Sequence, residues 1–188
     1  MASFIIDDLK VDYEVIRRDV KYPRLEIKTD YLYLIIPSEY EKPEELLEKH
    51  KNWIYKKISV IKASQREAET RKLELERSDE EFKNIVFSLV DKVSHELKVC
   101  VNQIRFRRMK SRWGSCSSKG NVNFNMYLKY LPPLFIEYIV FHEIAHLVEM
   151  GHNKKFWDII STKFPDHKEL EAELLIYWLS VKERENIV

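Results

Sequence analysis

No apolar run in this chain approaches the roughly 20 residues that a membrane-spanning helix needs, so no spanning segment is expected. An excess of charge is missing too. Lys and Arg total 32 against 31 Asp and Glu, a net charge of +1, which gives no global pull toward nucleic acid or an anionic surface. Cysteine is nearly absent, with only Cys100 and Cys116. The opening MASFIIDDLK lacks both a basic start and a long apolar core, so no export signal is expected. The two cysteines then read as free thiols, and the expected location is the cytoplasm. There is no internal repeat and no low-complexity tract. What is present is a hydrophobic content of 45% and a charged content of 34% over 188 residues. That composition fits a soluble globular protein of one domain, or one domain with a small appendage.

Residues 4–36 read as a small antiparallel β-sheet. VDYEVIRR and RLEIKT alternate apolar and polar residues, YLYLIIP is β-rich, and Lys21-Tyr22-Pro23 marks a turn. Residues 43–61 read as a helix opened by Pro43, with Leu46, Leu47, His50, Trp53, Ile54 and Ile58 near helical spacing and His50 as a packing residue. The stretch 62–81 is dominated by charge and reads as a helical spacer. The expected organisation is therefore a β-rich part with one helix over 1–61, the spacer over 62–81, and a second domain over 82–188. That domain begins with an amphipathic helix at 80–97, built on Phe82, Ile85, Val86, Leu89, Val93 and Leu97, with His95 exposed.

Two strands follow, 99–109 and 121–128, separated by the loop KSRWGSCSSKG. Val122, Phe124, Met126 and Leu128 share one face of the second strand. The pair reads either as a plain hairpin or as the upper edge of a cleft, where an exposed strand binds an extended peptide. Arg105, Arg107, Arg108, Lys110 and Arg112 form the one basic cluster that stands out. They read either as a solvated face or as a site for phosphate groups of a nucleotide or of nucleic-acid backbone, a weak nucleic-acid contact in the latter case.

The densest chemistry lies in IVFHEIAHLVEMGHNKKFW, residues 139–157. His142 and His146 stand four apart, so a helix aims both at one metal ion, with Glu143 beside them as general base. Catalytic zinc takes three protein ligands and keeps one position open. His152 supplies the third if the helix stops first, and Gly151 is the expected terminator, with Asn153 capping the next helix. Pro132 and Pro133 start the metal helix. A short helix carrying Phe156, Trp157, Ile160 and Phe164 ends before Pro165, and a last one spans 167–182. Its Glu169, Glu171 and Glu173 are rival third ligands.

Together, RWGSC at 112–116, the N-x-N strand, the Pro pair, HEIAH-x5-H and Phe156-Trp157 resemble the YgjP-like zinc metallopeptidases, relatives of the WLM and SprT groups. The resemblance covers nearly the whole chain. It implies an α+β fold, an N-terminal sheet followed by a zincin-like helix and strand domain with the HExxH helix at its active site. It also implies Zn2+ on His142, His146 and His152. Metzincins share the histidine spacing, but Glu149 stands where they carry glycine and no methionine follows Met150. The expected activity is zinc-dependent peptide hydrolysis, with Glu143 and Arg112 as catalytic residues, Arg112 stabilising developing negative charge. The alternatives are nucleoside-triphosphate pyrophosphohydrolysis, which the resemblance permits, and a DNA-associated zinc module. Ser115 and Cys116 are expected to border the cleft or to serve structure, with Cys116 as a closed fourth ligand the least favoured option.

Overall fold

The computed structural model describes residues 2–28 and 31–187. It divides into two units, residues 1–67 and 68–188. Met1 and Val188, at the outer limits of the expected domain ranges, and Thr29 and Asp30, inside the expected β-span, lie outside the described residues.

In the first unit, β1 (Ala2–Ile6), β2 (Leu9–Arg17), β3 (Arg24–Lys28) and β4 (Tyr31–Ile36) form one sheet in the order β1-β2-β4-β3. β1 pairs with β2, and β3 with β4, in the expected antiparallel sense. The central pair β2 and β4 is parallel, which corrects the all-antiparallel expectation. The physical reason is that β4 is the most apolar strand and takes a central position, with Leu32, Leu34, Ile35 and Ile36 buried. β3 is thereby pushed to the edge, and it serves as part of the crossover that a parallel pair requires.

Helix α1 (Pro43–Ala68) covers the sheet through Leu46, Leu47, Ile54 and Ile58, packed on Ile6, Val11, Leu32, Leu34 and Ile36. Trp53, expected on the packing face, is 42% exposed, and His50 is half-buried. The helix also runs past residue 61, because KASQREA is made mostly of good helix formers. Residues 69–78 are not helical.

The second unit opens with α2 (Asp79–Leu97), capped by Ser78, whose hydroxyl accepts from the Glu81 amide at 3.1 Å. β5 (Gln103–Arg107), β6 (Gly114–Cys116) and β7 (Asn121–Asn125) form a sheet in the order β5-β7-β6. β5 and β7 are parallel, so they do not make the plain hairpin. The partner antiparallel to β7 is β6, three residues inside the stretch read as a loop. Helix α3 (Pro133–Ala145) is buried on nearly every side, and α4 (Lys154–Lys163) and α5 (His167–Arg184) complete the unit. Phe82 and Val86 of α2, Val122 and Phe124 of β7, Ile136, Val140 and Phe141 of α3 and Phe156 of α4 share its core.

The second strand stops at Asn125, and Met126–Tyr130 forms a short 3-10 helix where strand was expected. The cause is the Asn125 side chain, which is fully buried and accepts from the Tyr127 amide at 3.2 Å. The same oxygen accepts from the Met109 amide, and the amide nitrogen donates to the carbonyls of Met109 and Arg112 at 2.9 and 2.8 Å. One side chain thus fixes the loop that carries Arg112. Asn125→Ala leaves those buried groups without partners and is expected to cost roughly 2–4 kcal/mol. Urea unfolding reads this directly, and a loss well under 1 kcal/mol would remove the anchoring role.

Candidate active site

Helix α3 carries Tyr138 and His142 four residues apart, and its C-cap His146 follows at the next four-residue step with helical φ and ψ. The last turn tightens at its end. Leu147 and Val148 donate to Ile144 and Ala145 at 2.9 Å each, so regular helix ends at Ala145. Gly151 is therefore not the terminator that its position suggested. Among the described glycines only Gly120 has a left-handed φ, +74°. The reversal is completed by a three-residue turn around His152, in which the Asn153 amide donates to Gly151 O at 2.8 Å. Asn153 then caps α4, as expected, accepting from the Phe156 amide at 3.2 Å.

This path brings three imidazoles together. His142 Nε2 and His152 Nε2 are 3.1 Å apart, and one ligand atom from each of His142, His146 and His152 falls within 4.8 Å of the others. His146 is oriented by Nδ1, 3.2 Å from the Glu149 carbonyl, and its ring stacks on Phe156 at 4.5 Å. His152 is held by Trp157, whose indole donates to the His152 carbonyl at 3.1 Å. Trp157 in turn stacks on the buried His167 ring at 5.0 Å. Burial, helped by the neighbouring His146 and His152, pushes His142 down to about 3. Burial also lowers His146, against the opposing effect of the Glu149 carbonyl. Both rings are therefore neutral near pH 7, the form a metal ligand needs. The three residues can hold a metal ion.

Glu143 is 6% exposed, and burial pushes its carboxyl up to about 8, opposed by the Arg112 charge. A Cβ built on Gly114 of β6 would meet Glu143 Cγ and Oε1 at 2.6 Å. The glycine is there for space, since its φ is not left-handed. β6 thus lies directly against the carboxylate.

The three histidines and Glu143 open into a cleft of about 550 Å³. One wall is the segment Ser111–Cys116, and the other includes Glu171, Leu174, Leu175 and Trp178 of α5. Trp113 and Trp178 meet edge to face at 4.9 Å. Ser115 and Cys116 do border the cleft. Ser115 Oγ accepts from Asn123 at 3.1 Å, and burial, with Glu143 adding, raises the Cys116 thiol to about 11. Cys116 is thus a protonated thiol, and it lies outside the three-histidine cluster.

The rival glutamates also lie outside that cluster. Glu169 is exposed, and Glu173 bridges to Arg71 at 2.8 Å. Of the basic cluster, Arg112 alone lines the cleft. Arg105 and Arg107 sit on the exposed face of β5, the opposite edge of the sheet from β6, and Arg105 donates to Gln103 at 2.7 Å.

Sequence reasoning missed Gly114, Asn125 and Tyr138. Tyr138 carried a usable signal, since it precedes His142 by one helical turn and so shares its face.

A sequence model of the YgjP-like metallopeptidase domain matches residues 63–176. A curated relative, the UTP pyrophosphatase of Escherichia coli (strain K12), is 30% identical over 95 residues, 48% of this chain and 56% of that protein. The chain thus spans about half the length of that relative. Two solved zymogens are also similar. Abylysin of Pyrococcus abyssi is 26% identical over 48% of this chain and 91% of that one, with a TM-score of 0.44. Jannalysin of Methanocaldococcus jannaschii is 24% identical over 48% of this chain and 86% of that one, with a TM-score of 0.41. No helix among the described residues is long and apolar enough to cross a membrane. With the family match running from the last turns of α1 into α5 and enclosing every residue of the histidine cluster, this chain belongs to the YgjP-like metallopeptidase domain family.

Proposed function

We propose that this chain is a zinc-dependent hydrolase that cleaves peptide bonds, with His142, His146 and His152 holding the ion and Glu143 as general base. Zinc suits the donor set. Ligand nitrogens on one tetrahedral zinc stand about 3.4 Å apart for bonds of about 2.05 Å, close to the 3.1 Å between His142 Nε2 and His152 Nε2. When bound, zinc supplies a Lewis acid that polarises the scissile carbonyl and acidifies water. Glu143 takes the proton from the attacking water and delivers it to the leaving nitrogen. Burial holds this carboxyl protonated in the metal-free chain, and a bound cation beside it would lower its pKa toward the ionised form that a base needs. Arg112 faces the cleft and stabilises negative charge as it develops.

The observation that carries the peptide reading is the free edge of β6. Its bonds to β7 run through Trp113, Ser115 and Ser117. Antiparallel alternation leaves the amide and carbonyl groups of Gly114 and Cys116 without a sheet partner among the described residues, beside Glu143. An extended peptide aligns on such an edge by main-chain bonds. The second reading is nucleoside-triphosphate pyrophosphohydrolysis, favoured by the similarity to the UTP pyrophosphatase. It has one cleft arginine, Arg112, to meet the polyphosphate. Phosphate binding at Arg105, Arg107, Arg108 and Lys110, including weak nucleic-acid contact, would be separate from the cleft. The free cysteines support a cytoplasmic location.

The test sets zinc-loaded protein against a peptide library and a panel of nucleoside triphosphates, with Glu143→Gln as control. Peptide cleavage that vanishes in the variant supports the proposal. Pyrophosphate release that vanishes, without cleavage, replaces it with the second reading.

A further inference from the structure

On the α5 wall of the cleft, Glu171, Leu174, Leu175 and Trp178 stand at steps of three and four, so the helix presents them on one face. Leu174 is buried, Leu175 and Trp178 are half-buried, and Glu171 is exposed. The face is thus an apolar trough with a carboxylate at one end.

That carboxylate is held in place. The Tyr138 hydroxyl donates to Glu171 Oε1 at 3.3 Å. Tyr138 is 1% exposed, and burial, reinforced by Glu171, raises its pKa, so the phenol stays a neutral donor. Because Tyr138 precedes His142 by one turn of α3, the bond ties Glu171 to the helix that carries the candidate metal ligands. Among the described residues no cation pairs with Glu171, whereas its neighbour Glu173 is engaged by Arg71. Glu171 is also outside the histidine cluster, so it is not needed as a ligand.

An oriented, unpaired carboxylate at the end of an apolar trough matches one kind of group: a cation on an aliphatic stem. We propose that Glu171, fixed by Tyr138, forms a substrate subsite for a lysine or arginine side chain next to the scissile bond. Leu174, Leu175 and Trp178 cover the stem of that side chain, and the carboxylate takes its head. The subsite rests on the peptidase reading, because an unpaired carboxylate repels a polyphosphate.

The experiment uses zinc-loaded protein and fluorogenic peptides that differ only by Lys, Arg, Leu or Glu at each position flanking the scissile bond. The wild type is expected to favour Lys or Arg at one position by about tenfold in kcat/KM over Leu. Glu171→Gln is expected to bring that ratio toward one, and Glu171→Lys to turn the preference to Glu, an inversion that mere loss of structure does not produce. Zinc affinity, read by competition with a chromophoric chelator, is expected to stay at the wild-type value in Glu171→Gln. A basic preference that survives in Glu171→Gln overturns the subsite, as does weakened zinc binding, which returns Glu171 to the ligand set. Cleavage with no basic preference overturns the subsite and leaves the peptidase reading standing. If no peptide is cleaved, the peptidase reading falls, and the subsite is judged by fluorescence anisotropy of labelled Lys and Glu peptides on zinc-loaded Glu143→Gln protein. Equal affinities there overturn it, and Lys-selective binding that Glu171→Gln abolishes upholds it.

Discussion

Glu143→Gln is expected to lower kcat by roughly a thousandfold, with the three imidazoles and their ion in place, and to make the metal-free protein more stable at alkaline pH. The second effect follows from burial. The Glu143 carboxyl is pushed from 4.5 to about 8 in the folded chain, so the folded state keeps a proton that the unfolded state has already released. Stability from this group is complete below pH 4.5, falls as pH rises, and is lost by about pH 8. A shift of 3.5 units, 8 minus 4.5, corresponds to at most roughly 5 kcal/mol. Glutamine does not titrate, so it escapes the loss. His142 titrates in both proteins, and its contribution cancels in the difference. Urea unfolding in chelator at pH 5, 7 and 9 should show the variant's advantage growing and then levelling. A constant difference across that range would mean that Glu143 is ionised throughout. Adding the metal should shrink the slope, because a cation beside the carboxylate lowers its pKa.

Gly114→Ala is expected to lower kcat by about a hundredfold with zinc content unchanged, since a displacement near 1 Å at a reacting group costs about that much. The new methyl group would sit 2.6 Å from Glu143 Cγ and Oε1, and real contacts do not come so close. Either β6 retreats, which misplaces its free edge, or Glu143 rotates away from the cleft. Both outcomes harm turnover, and neither moves the histidines. Steady-state kinetics with metal analysis decides it, and a kcat within threefold of wild type would show that the approach of strand and carboxylate is not used in the chemistry.

The histidine cluster could be read from the chain because a helix turns His142 and His146 to one side, and because Asn153 advertises a new helix just after His152. Most elements were legible for the same reason: their apolar residues repeat at helical or strand spacing. β6 was not. Gly114, Ser115 and Cys116 are too few and too small to show alternation, and the position of β6 depends on β7 and on Glu143, far off in sequence. The parallel β2–β4 pair was hidden because strand order is a long-range property. Residue type also misled at Gly151, where 3-10 bonding within α3 had already ended the helix. Glu171 read as a rival ligand because its chemistry permits it, but its bond to Tyr138 became visible only once α3 and α5 were packed.

The short path from His142 to His152 has a further consequence. An ion held by both ends of that path would be a crosslink between α3 and the turn that leads into α4, closing a loop of about ten residues in the way a disulfide does. Unlike a disulfide, this crosslink follows mass action: its strength rises with the free ion concentration and disappears when the ion is scarce. Without the ion the 147–151 turn would lose that tether, and limited proteolysis there is expected to run faster in chelator than with metal added.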